Sequence, residues 1–231
     1  GIMAHPVFAM DTLPFLASDY DQATKLWAAT KPKIEALLAK QGLMVLFSVP
    51  WPPQGLYAKK LIDKASDLKG MKFRAYNAST TRLAELAGAV PIQIEVADLA
   101  QAFATGPIEA MITSPSTGVR GKAWDYLSYF HHTQAWILKN VVVINKAAFS
   151  KLSAATQKAV LAAAAKAAKR GWEMSKSATD QKIAALKTNG VTIVTPSAAL
   201  LGSLPTIGAP LRAEVATQPA EERQMRLVAL E

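Results

Sequence analysis

Strand-like and helical segments alternate along nearly the whole of this 231-residue chain. Apolar runs of strand length are each followed by a stretch with helical periodicity, and Gly, Pro, Asn and Ser residues separate the segments. This alternation predicts an α/β fold with mainly parallel strand pairing, because a helix carries the chain back between successive parallel strands. The length suits one large domain or two smaller lobes, and it is sufficient to bury a core without disulfides.

The positions of these runs and stops predict the individual elements. Strands are predicted at 43–49, 71–75, 91–94, 108–113, 136–145 and 191–194, and helices at 21–40, 79–86, 98–104, 122–130 and 153–187, with a partly helical tail from 200. The run at 43–49 is apolar throughout, which predicts burial on both faces, as in a parallel sheet. Pro32 is expected to kink or divide the first helix, and a break is expected near Gly171 in the long one.

Composition excludes several classes of function. The chain has no cysteine, which rules out a disulfide scaffold, a cysteine zinc site, an iron–sulfur cluster and thiol catalysis. Its formal net charge of +9 suits an anionic partner, but the lysines form no polybasic run, so nucleic acid is not expected. No apolar stretch reaches the roughly 20 residues of a membrane span. No signal-peptide pattern is visible, so export would require that this segment has been removed.

Ligands of α/β folds bind at the carboxyl ends of strands, and three strand–helix junctions qualify here, at 49–57, 73–79 and 112–118. Arg74 ends a predicted strand, and Asn77 begins a helix three residues later. A guanidinium beside the free N–H groups of a helix start would bind an anion, and its two parallel donors suit a carboxylate. The alternatives are a surface salt bridge for Arg74 and a simple helix cap for Asn77.

The other candidate residues at these junctions also have structural alternatives. Thr113 and Ser114 could donate hydroxyl hydrogen bonds to a ligand, or they could merely shape a turn. Trp51 and Gln54 lie in a stiff Pro-rich loop that could form the wall of a ligand site or connect two lobes. Trp136 lies on an apolar strand, a position more typical of a core residue than of a site residue.

Motifs for catalysis and metal binding are missing from the sequence. It contains no G-x-S-x-G, no phosphate-binding P-loop and no G-x-G-x-x-G. His131 and His132 are adjacent, so they cannot face one direction on a helix, and neither has metal-ligand spacing to a pair of carboxylates. A triad of Ser114, His131 and Asp125 can be written down, but no local pattern supports it. We therefore expect no catalysis, no metal and no cofactor.

Several motifs, in order along the chain, resemble those of one protein family. The stretch Asp67-Leu-Lys-Gly-Met-Lys-Phe-Arg-Ala-Tyr-Asn77 resembles the D-L-K-G-x-K-x-R-x-x-N signature of TRAP-transporter substrate-binding proteins. Further segments that resemble the family or one of its subgroups are 12–16, 51–57, 84–91, 102–110, 124–126 and 134–140. The resemblance extends over residues 7–194.

The resemblance implies a two-lobed, periplasmic-binding-protein-like fold of type II, with mainly parallel sheets and a long helix that spans the lobes. It predicts lobe I at 1–50 plus 141–179 and lobe II at 51–140 plus 180–231. The family's first βαβ unit should precede Val7 and is missing from this sequence, so lobe I is expected to be short of part of its sheet. Glu109 stands where the family usually has Asp.

The resemblance also implies a set of site residues. Within the family, the signature Arg pairs with the ligand carboxylate and the signature Asn is a site residue; here these are Arg74 and Asn77. Gln54 stands where some members have a second ligand-contacting Arg, which favours a monocarboxylate ligand. The full set of predicted ligand-binding residues is Arg74, Asn77, Gln54, Trp51, Tyr76, Thr113, Ser114, Trp136 and Asn140.

The family resemblance implies a periplasmic receptor that closes by hinge motion on a small organic acid and delivers it to membrane permease subunits. Two alternatives stay open beside it: a truncated, non-binding remnant or assembly protein, and an α/β hydrolase that uses Ser114. The long helix could pair two chains into a homodimer, but the sequence does not require one.

Overall fold

The computed structural model describes residues 5–106 and 108–216, and their strands form two sheets. The strands are β1 (Leu43–Pro50), β2 (Gly55–Ala58), β3 (Lys72–Ala75), β4 (Val90–Gln93), β5 (Ala110–Thr113), β6 (Tyr129–His131), β7 (Lys139–Asn145) and β8 (Thr192–Val194). The helices are α1 (Tyr20–Ala39), α2 (Ala78–Leu86), α3 (Leu99–Thr105), α4 (Pro115–Arg120), α5 (Lys146–Ser150), α6 (Ala154–Thr188) and α7 (Ala198–Ala216). Short 3₁₀ turns lie at Pro6–Thr12, Ala65–Leu68, Val96–Asp98 and Ala123–Asp125.

Six strands form the larger sheet, in the order β4-β3-β5-β2-β6-β8. Strand β2 pairs antiparallel with β5 and β6, and the other pairings in this sheet are parallel. Five strands therefore run in one direction and one runs against them. This arrangement confirms the predicted α/β fold with mainly parallel pairing.

Both faces of the larger sheet are covered. Leu56 and Phe73 belong to the core on one face, while Tyr57, Met111 and Phe130 belong to the core on the other. Successive residues of a strand point to opposite faces, so Leu56 and Tyr57 serve different cores. All four residues of β2 and all four of β5 are buried, which is the burial expected of central strands covered on both sides.

The smaller sheet contains β1 and β7, which pair antiparallel from Leu43 opposite Asn145 to Pro50 opposite Lys139. Most residues of β1 are half-buried, and β7 is half-buried or exposed along its whole length. The prediction that 43–49 would be buried on both faces of a parallel sheet is therefore wrong. An apolar run indicates a strand, but its burial depends on the layers around it, and within the described residues this sheet has two strands.

Helix α6 runs unbroken for 35 residues and packs against strands of both sheets. Ser153 caps its start by accepting a hydrogen bond from the Thr156 N–H at 3.2 Å. The break predicted near Gly171 is wrong. A Cβ at Gly171 would lie 2.6 Å from Val49 Cγ2, so this glycine lets the helix approach β1 closely. Pro32 likewise lies inside a continuous α1, which it does not divide.

Two sequence predictions near the middle of the chain are also wrong. In place of a helix over 122–130, the chain makes a 3₁₀ turn and then strand β6, because Phe130 and His131 pair with Tyr57 and Leu56 of β2. The strand predicted over 136–145 begins at Lys139. The preceding residues instead form an irregular connection whose carbonyls accept hydrogen bonds from the backbone of 51–54. In both places long-range pairing overrides local preference.

None of the helices in residues 5–106 and 108–216 is both long and apolar enough to cross a membrane.

Candidate ligand-binding site

A cavity of about 180 Å³ lies at the carboxyl ends of β3 and β5, beside the two segments that connect the sheets. Its lining residues are Trp51, Gln54, Arg74, Tyr76, Val96, Thr113, Ser114, Thr117, Arg120 and Leu138. Six of the nine residues predicted from the sequence are among them. Neighbouring parallel strands end at the same edge of a sheet, which explains why residues far apart in sequence meet here.

Arg74 is the most deeply buried charged group of this cavity, with 0% of its surface exposed. Its Nε donates a hydrogen bond to the Ile94 carbonyl at 2.9 Å, which fixes the plane of the guanidinium. The Tyr76 ring lies 4.8 Å from the guanidinium carbon, a cation–π distance. Nη1 and Nη2 are buried and have no hydrogen-bond partner among the described residues. Arg74 therefore offers two fixed donors to the cavity.

Burial also governs the electrostatics of Arg74. Desolvation lowers the pKa of its guanidinium from the ordinary value, and the Tyr76 and Glu95 side chains act in the opposite direction. An arginine stays charged in proteins despite such a shift. A buried, charged group with unused donors is costly to the folded state, and an anion that bonds to these donors would relieve that cost.

A chain of hydrogen bonds holds Tyr76 against Arg74. Trp136 Nε1 donates to the Tyr76 hydroxyl at 3.2 Å, and that hydroxyl donates to Gln54 Oε1 at a marginal 3.5 Å. Burial raises the pKa of the Tyr76 hydroxyl, so it remains protonated. Trp136 thus contacts Tyr76 from the core and does not line this cavity.

The two connecting segments run side by side at the cavity. The Trp51 N–H donates to the Leu138 carbonyl at 2.9 Å, and the Gln54 N–H donates to the Trp136 carbonyl at 2.9 Å. Gln54 Nε2 also donates to the Pro52 carbonyl at 3.3 Å. These bonds hold Trp51, Gln54 and Leu138 as part of the cavity wall.

Ser114 and its neighbours at the start of α4 also line the cavity. Ser114 Oγ accepts from the Thr117 N–H at 3.1 Å and so caps α4, and it donates to Thr117 Oγ1 at 3.1 Å. The Tyr57 hydroxyl donates to the Ser114 carbonyl at 3.2 Å from the core side. The Ser114 side chain is therefore committed to local structure.

The triad of Ser114, His131 and Asp125 is not assembled. His131 Nδ1 bonds to the Leu56 carbonyl at 3.1 Å, and its Nε2 accepts from the Ile62 N–H at 3.0 Å. Both ring nitrogens thus have backbone partners, and neither bonds to Ser114. Within residues 5–106 and 108–216, no group of three His, Asp or Glu residues could hold a metal ion.

Asn77 and Asn140, like Trp136, lie outside the lining of this cavity. The Asn77 carboxamide oxygen accepts from the Thr80 N–H at 2.8 Å, so Asn77 is the N-cap of α2 as the sequence predicts. Asn140 lines a different cavity of about 360 Å³, next to Lys139 and Asp11. The roles of these three residues toward a ligand stay predictions.

Sequence reasoning missed Val96, Thr117, Arg120 and Leu138 as lining residues. Thr117 and Arg120 follow Ser114 at spacings of three and six residues, which puts them on the same side of a helix. This spacing was the available signal, because Ser114 was already a candidate. Arg120 is exposed and gives the cavity a second guanidinium.

An α/β fold of two sheets, with a buried guanidinium in a cavity beside the segments that connect them, fits a solute-binding protein of the two-lobed type. The sequence profile of bacterial extracellular solute-binding protein family 7 matches residues 3–218. The chain therefore belongs to this family. Its members are solute-binding receptors and not enzymes, which confirms the expectation of no catalysis.

Three solved structures of related receptors resemble this chain closely. DctP6, a Bordetella pertussis extracytoplasmic solute receptor binding pyroglutamic acid, is 42% identical, with a TM-score of 0.94 over 97% of this chain and 75% of that one. The Bordetella pertussis receptor DctP7, also binding pyroglutamic acid, is 41% identical, with a TM-score of 0.93 over 99% and 77%. A marine metagenome TRAP solute-binding protein specific for pyroglutamate is 36% identical, with a TM-score of 0.91 over 99% and 77%.

Proposed function

We propose that this protein is the extracytoplasmic receptor of a TRAP transporter for a small monocarboxylate, which it binds through Arg74. The two Nη groups would each donate to one carboxylate oxygen, while Tyr76 covers the guanidinium from one side. Bidentate, charge-assisted hydrogen bonds of this kind are short and about twice as strong as neutral ones. The receptor would then deliver the acid to membrane permease subunits from the periplasm.

The observation that carries this proposal is the pair of buried Arg74 nitrogens that lack a partner among the described residues. Buried polar groups are nearly always hydrogen-bonded, and a charged one left unpaired is strongly unfavourable. The remaining donor of the same guanidinium is satisfied by the Ile94 carbonyl. One guanidinium nitrogen is thus hydrogen-bonded within the protein, and the other two can each donate to one oxygen of a carboxylate.

Pyroglutamate is the first candidate ligand. Three receptors that are 36–42% identical to this chain are described as binding it. A cavity of about 180 Å³ suits a small acid, since ligands of drug size take roughly 300–1,000 Å³. Gln54 provides a neutral amide at the wall, which favours a ligand with one carboxylate and a neutral polar group over a dicarboxylate.

Calorimetric titration with L-pyroglutamate, after removal of co-purified ligand, tests this function. The unaltered chain should bind, and Arg74→Gln should lower the affinity by at least about 100-fold, because the lost pair is buried and charged. Arg82→Gln is the matched control: Arg82 is a partly exposed arginine on α2 that pairs with Glu85 and Glu214, and its loss should leave binding unchanged. Equal affinities of Arg74→Gln and the unaltered chain would refute the clamp.

A further inference from the structure

We propose that the Arg74 cavity selects carboxylates that carry no protonated amine, and that Arg120 is the second cation that enforces this choice. The inference rests on the proposed function and names the substrate class of the same site. Lactams, hydroxy acids and oxo acids would be accepted, whereas zwitterionic amino acids would be rejected.

The charges that line the cavity are all of one sign. Two of its ten lining residues are arginines, and none of the ten is an aspartate or glutamate. An α-amino acid bound with its carboxylate on Arg74 would place its ammonium group within a few Å of that guanidinium. No lining carboxylate is present to neutralise it, and in a buried site such like-charge contacts are expensive.

Two described carboxylates act electrostatically on Arg74 or Tyr76, but neither lines the Arg74 cavity. Glu95 influences Arg74 electrostatically, but its side chain borders a separate cavity together with Asp98. Asp11 pairs with Lys139 at 3.4 Å and accepts from the Lys139 N–H at 2.9 Å. Neither carboxylate belongs to the lining of the Arg74 cavity, so neither offers a direct partner for a ligand ammonium.

Arg120 extends this positive lining toward the outside. It lies at the last turn of α4 and lines both the Arg74 cavity and an adjoining cavity of about 470 Å³, which also share Val96 and Thr117. Arg120 forms no ion pair with a carboxylate among the described residues. Its guanidinium would donate to a carbonyl oxygen of a ligand, and its charge would repel an ammonium group at the same place.

Three acids with five-membered rings allow the effect of ligand charge on affinity to be measured separately from the effect of ligand shape. L-Pyroglutamate has a neutral lactam nitrogen, L-proline has a protonated ring nitrogen, and tetrahydrofuran-2-carboxylate has a neutral ring oxygen and no carbonyl. We expect calorimetry to give the order pyroglutamate, then tetrahydrofuran-2-carboxylate, then proline. The last two have the same shape and should differ by at least about tenfold, because they differ in charge.

Arg120→Glu and Lys122→Glu form the matched pair of variants. Each makes the same charge change on an exposed side chain, but Arg120 lines the cavity and Lys122 does not. Arg120→Glu should weaken pyroglutamate about tenfold and strengthen proline, since it puts a carboxylate at the rim. Lys122→Glu should change neither by more than about twofold, since an exposed charge away from the lining is screened.

The outcomes distinguish this inference from the proposed function. If no acid of a panel of small monocarboxylates binds the unaltered chain, with pyroglutamate, tetrahydrofuran-2-carboxylate and simple hydroxy and oxo acids included, the proposed function fails and the inference fails with it. If both bind and proline binds as tightly as tetrahydrofuran-2-carboxylate, the charge selection is wrong while the receptor function stands. Equal effects of Arg120→Glu and Lys122→Glu on the affinities for pyroglutamate and proline would refute the role assigned to Arg120.

Discussion

The two sheets of this protein are built from similarly apolar strands but differ sharply in burial. In the six-stranded sheet, β2 and β5 are buried at every position. In the two-stranded sheet, β1 and β7 carry runs such as Val141 to Ile144, yet Val142 and Val143 are 37% and 38% exposed. Apolar sequence thus determines that a strand forms, whereas the surrounding layers determine how much stability it contributes.

The cavities beside the two sheets differ in whether their buried cation has a carboxylate partner. The larger cavity, of about 360 Å³, borders the two-stranded sheet, and its ammonium group, Lys139, already pairs with Asp11. The smaller cavity borders the six-stranded sheet and holds the unpaired Nη groups of Arg74. Lys139 Nζ also lacks a hydrogen bond, but it has a carboxylate beside it. A buried cation with no ion pair among the described residues, and not cavity volume, identifies the better candidate for a ligand site.

Core truncations in the two sheets give the largest expected contrast. Phe73→Ala in β3 should lower the free energy of unfolding by about 3–5 kcal/mol, because Phe73 is fully buried and leaves a cavity. Val143→Ala in β7 should cost less than about 1 kcal/mol, because that side chain is already partly in water. Urea titrations of both variants measure the two values. Similar losses would mean that the sheets are equally covered in solution.

The pH dependence of stability tests the core around the six-stranded sheet. Burial lowers the pKa of His131 and of His132 below the ordinary value of 6.5, so the fold favours their neutral forms. The unfolded chain therefore takes up protons before the folded one does. Stability should be complete well above pH 6.5 and fall as the pH drops below it, by up to about 1.4 kcal/mol per pH unit and per histidine.

His131→Gln provides the control for this acid sensitivity. Gln lacks the titration but can still donate to the Leu56 carbonyl and accept from the Ile62 N–H, the two bonds that His131 makes. Unfolding titrations between pH 7.5 and 5.5 should show a shallower slope for this variant. An unchanged slope would show that other groups cause the acid sensitivity.

The smallest expected changes in stability come from two glycine-to-alanine substitutions, one in α6, which packs against both sheets, and one in α7. Gly171→Ala should cost about 1 kcal/mol, because the clash with Val49 exceeds the gain in helix propensity. Gly202→Ala on α7 should instead stabilise by about 0.5–1 kcal/mol, since a Cβ there meets no atom within 4 Å. Thermal unfolding of the two variants should therefore shift in opposite directions. Stabilisation by Gly171→Ala would show that α6 does not press on β1.

Much of the fold could be predicted from local signals. The helix cap at Asn77, the short strands around Arg74 and the long helix after Ser153 all carry strong sequence patterns. Strands β2 and β6 were missed because their pairing partners lie more than fifty residues away, so no local pattern distinguishes them from loop or helix. The break expected at Gly171 was wrong because the glycine serves a contact with β1 that sequence does not reveal.

The site residues at strand ends could be predicted from the sequence, whereas those that reach the cavity from a helix were missed. Arg74 and Thr113 lie at or next to the ends of β3 and β5, where the fold class itself points. Arg120 reaches the cavity from the end of a short helix, and only its spacing from Ser114 indicated this position. Trp136 lies behind Tyr76 because hydrogen bonds join Trp136 to Tyr76 and Tyr76 to Gln54, and these three residues are far apart in the sequence.

The crystal structure of the protein with L-pyroglutamate tests the central claim most directly. The account predicts both carboxylate oxygens at about 2.7–2.9 Å from Arg74 Nη1 and Nη2, the distances of charge-assisted hydrogen bonds. A carboxylate bound beside Lys139 in the larger cavity, with the Arg74 nitrogens untouched, would contradict it.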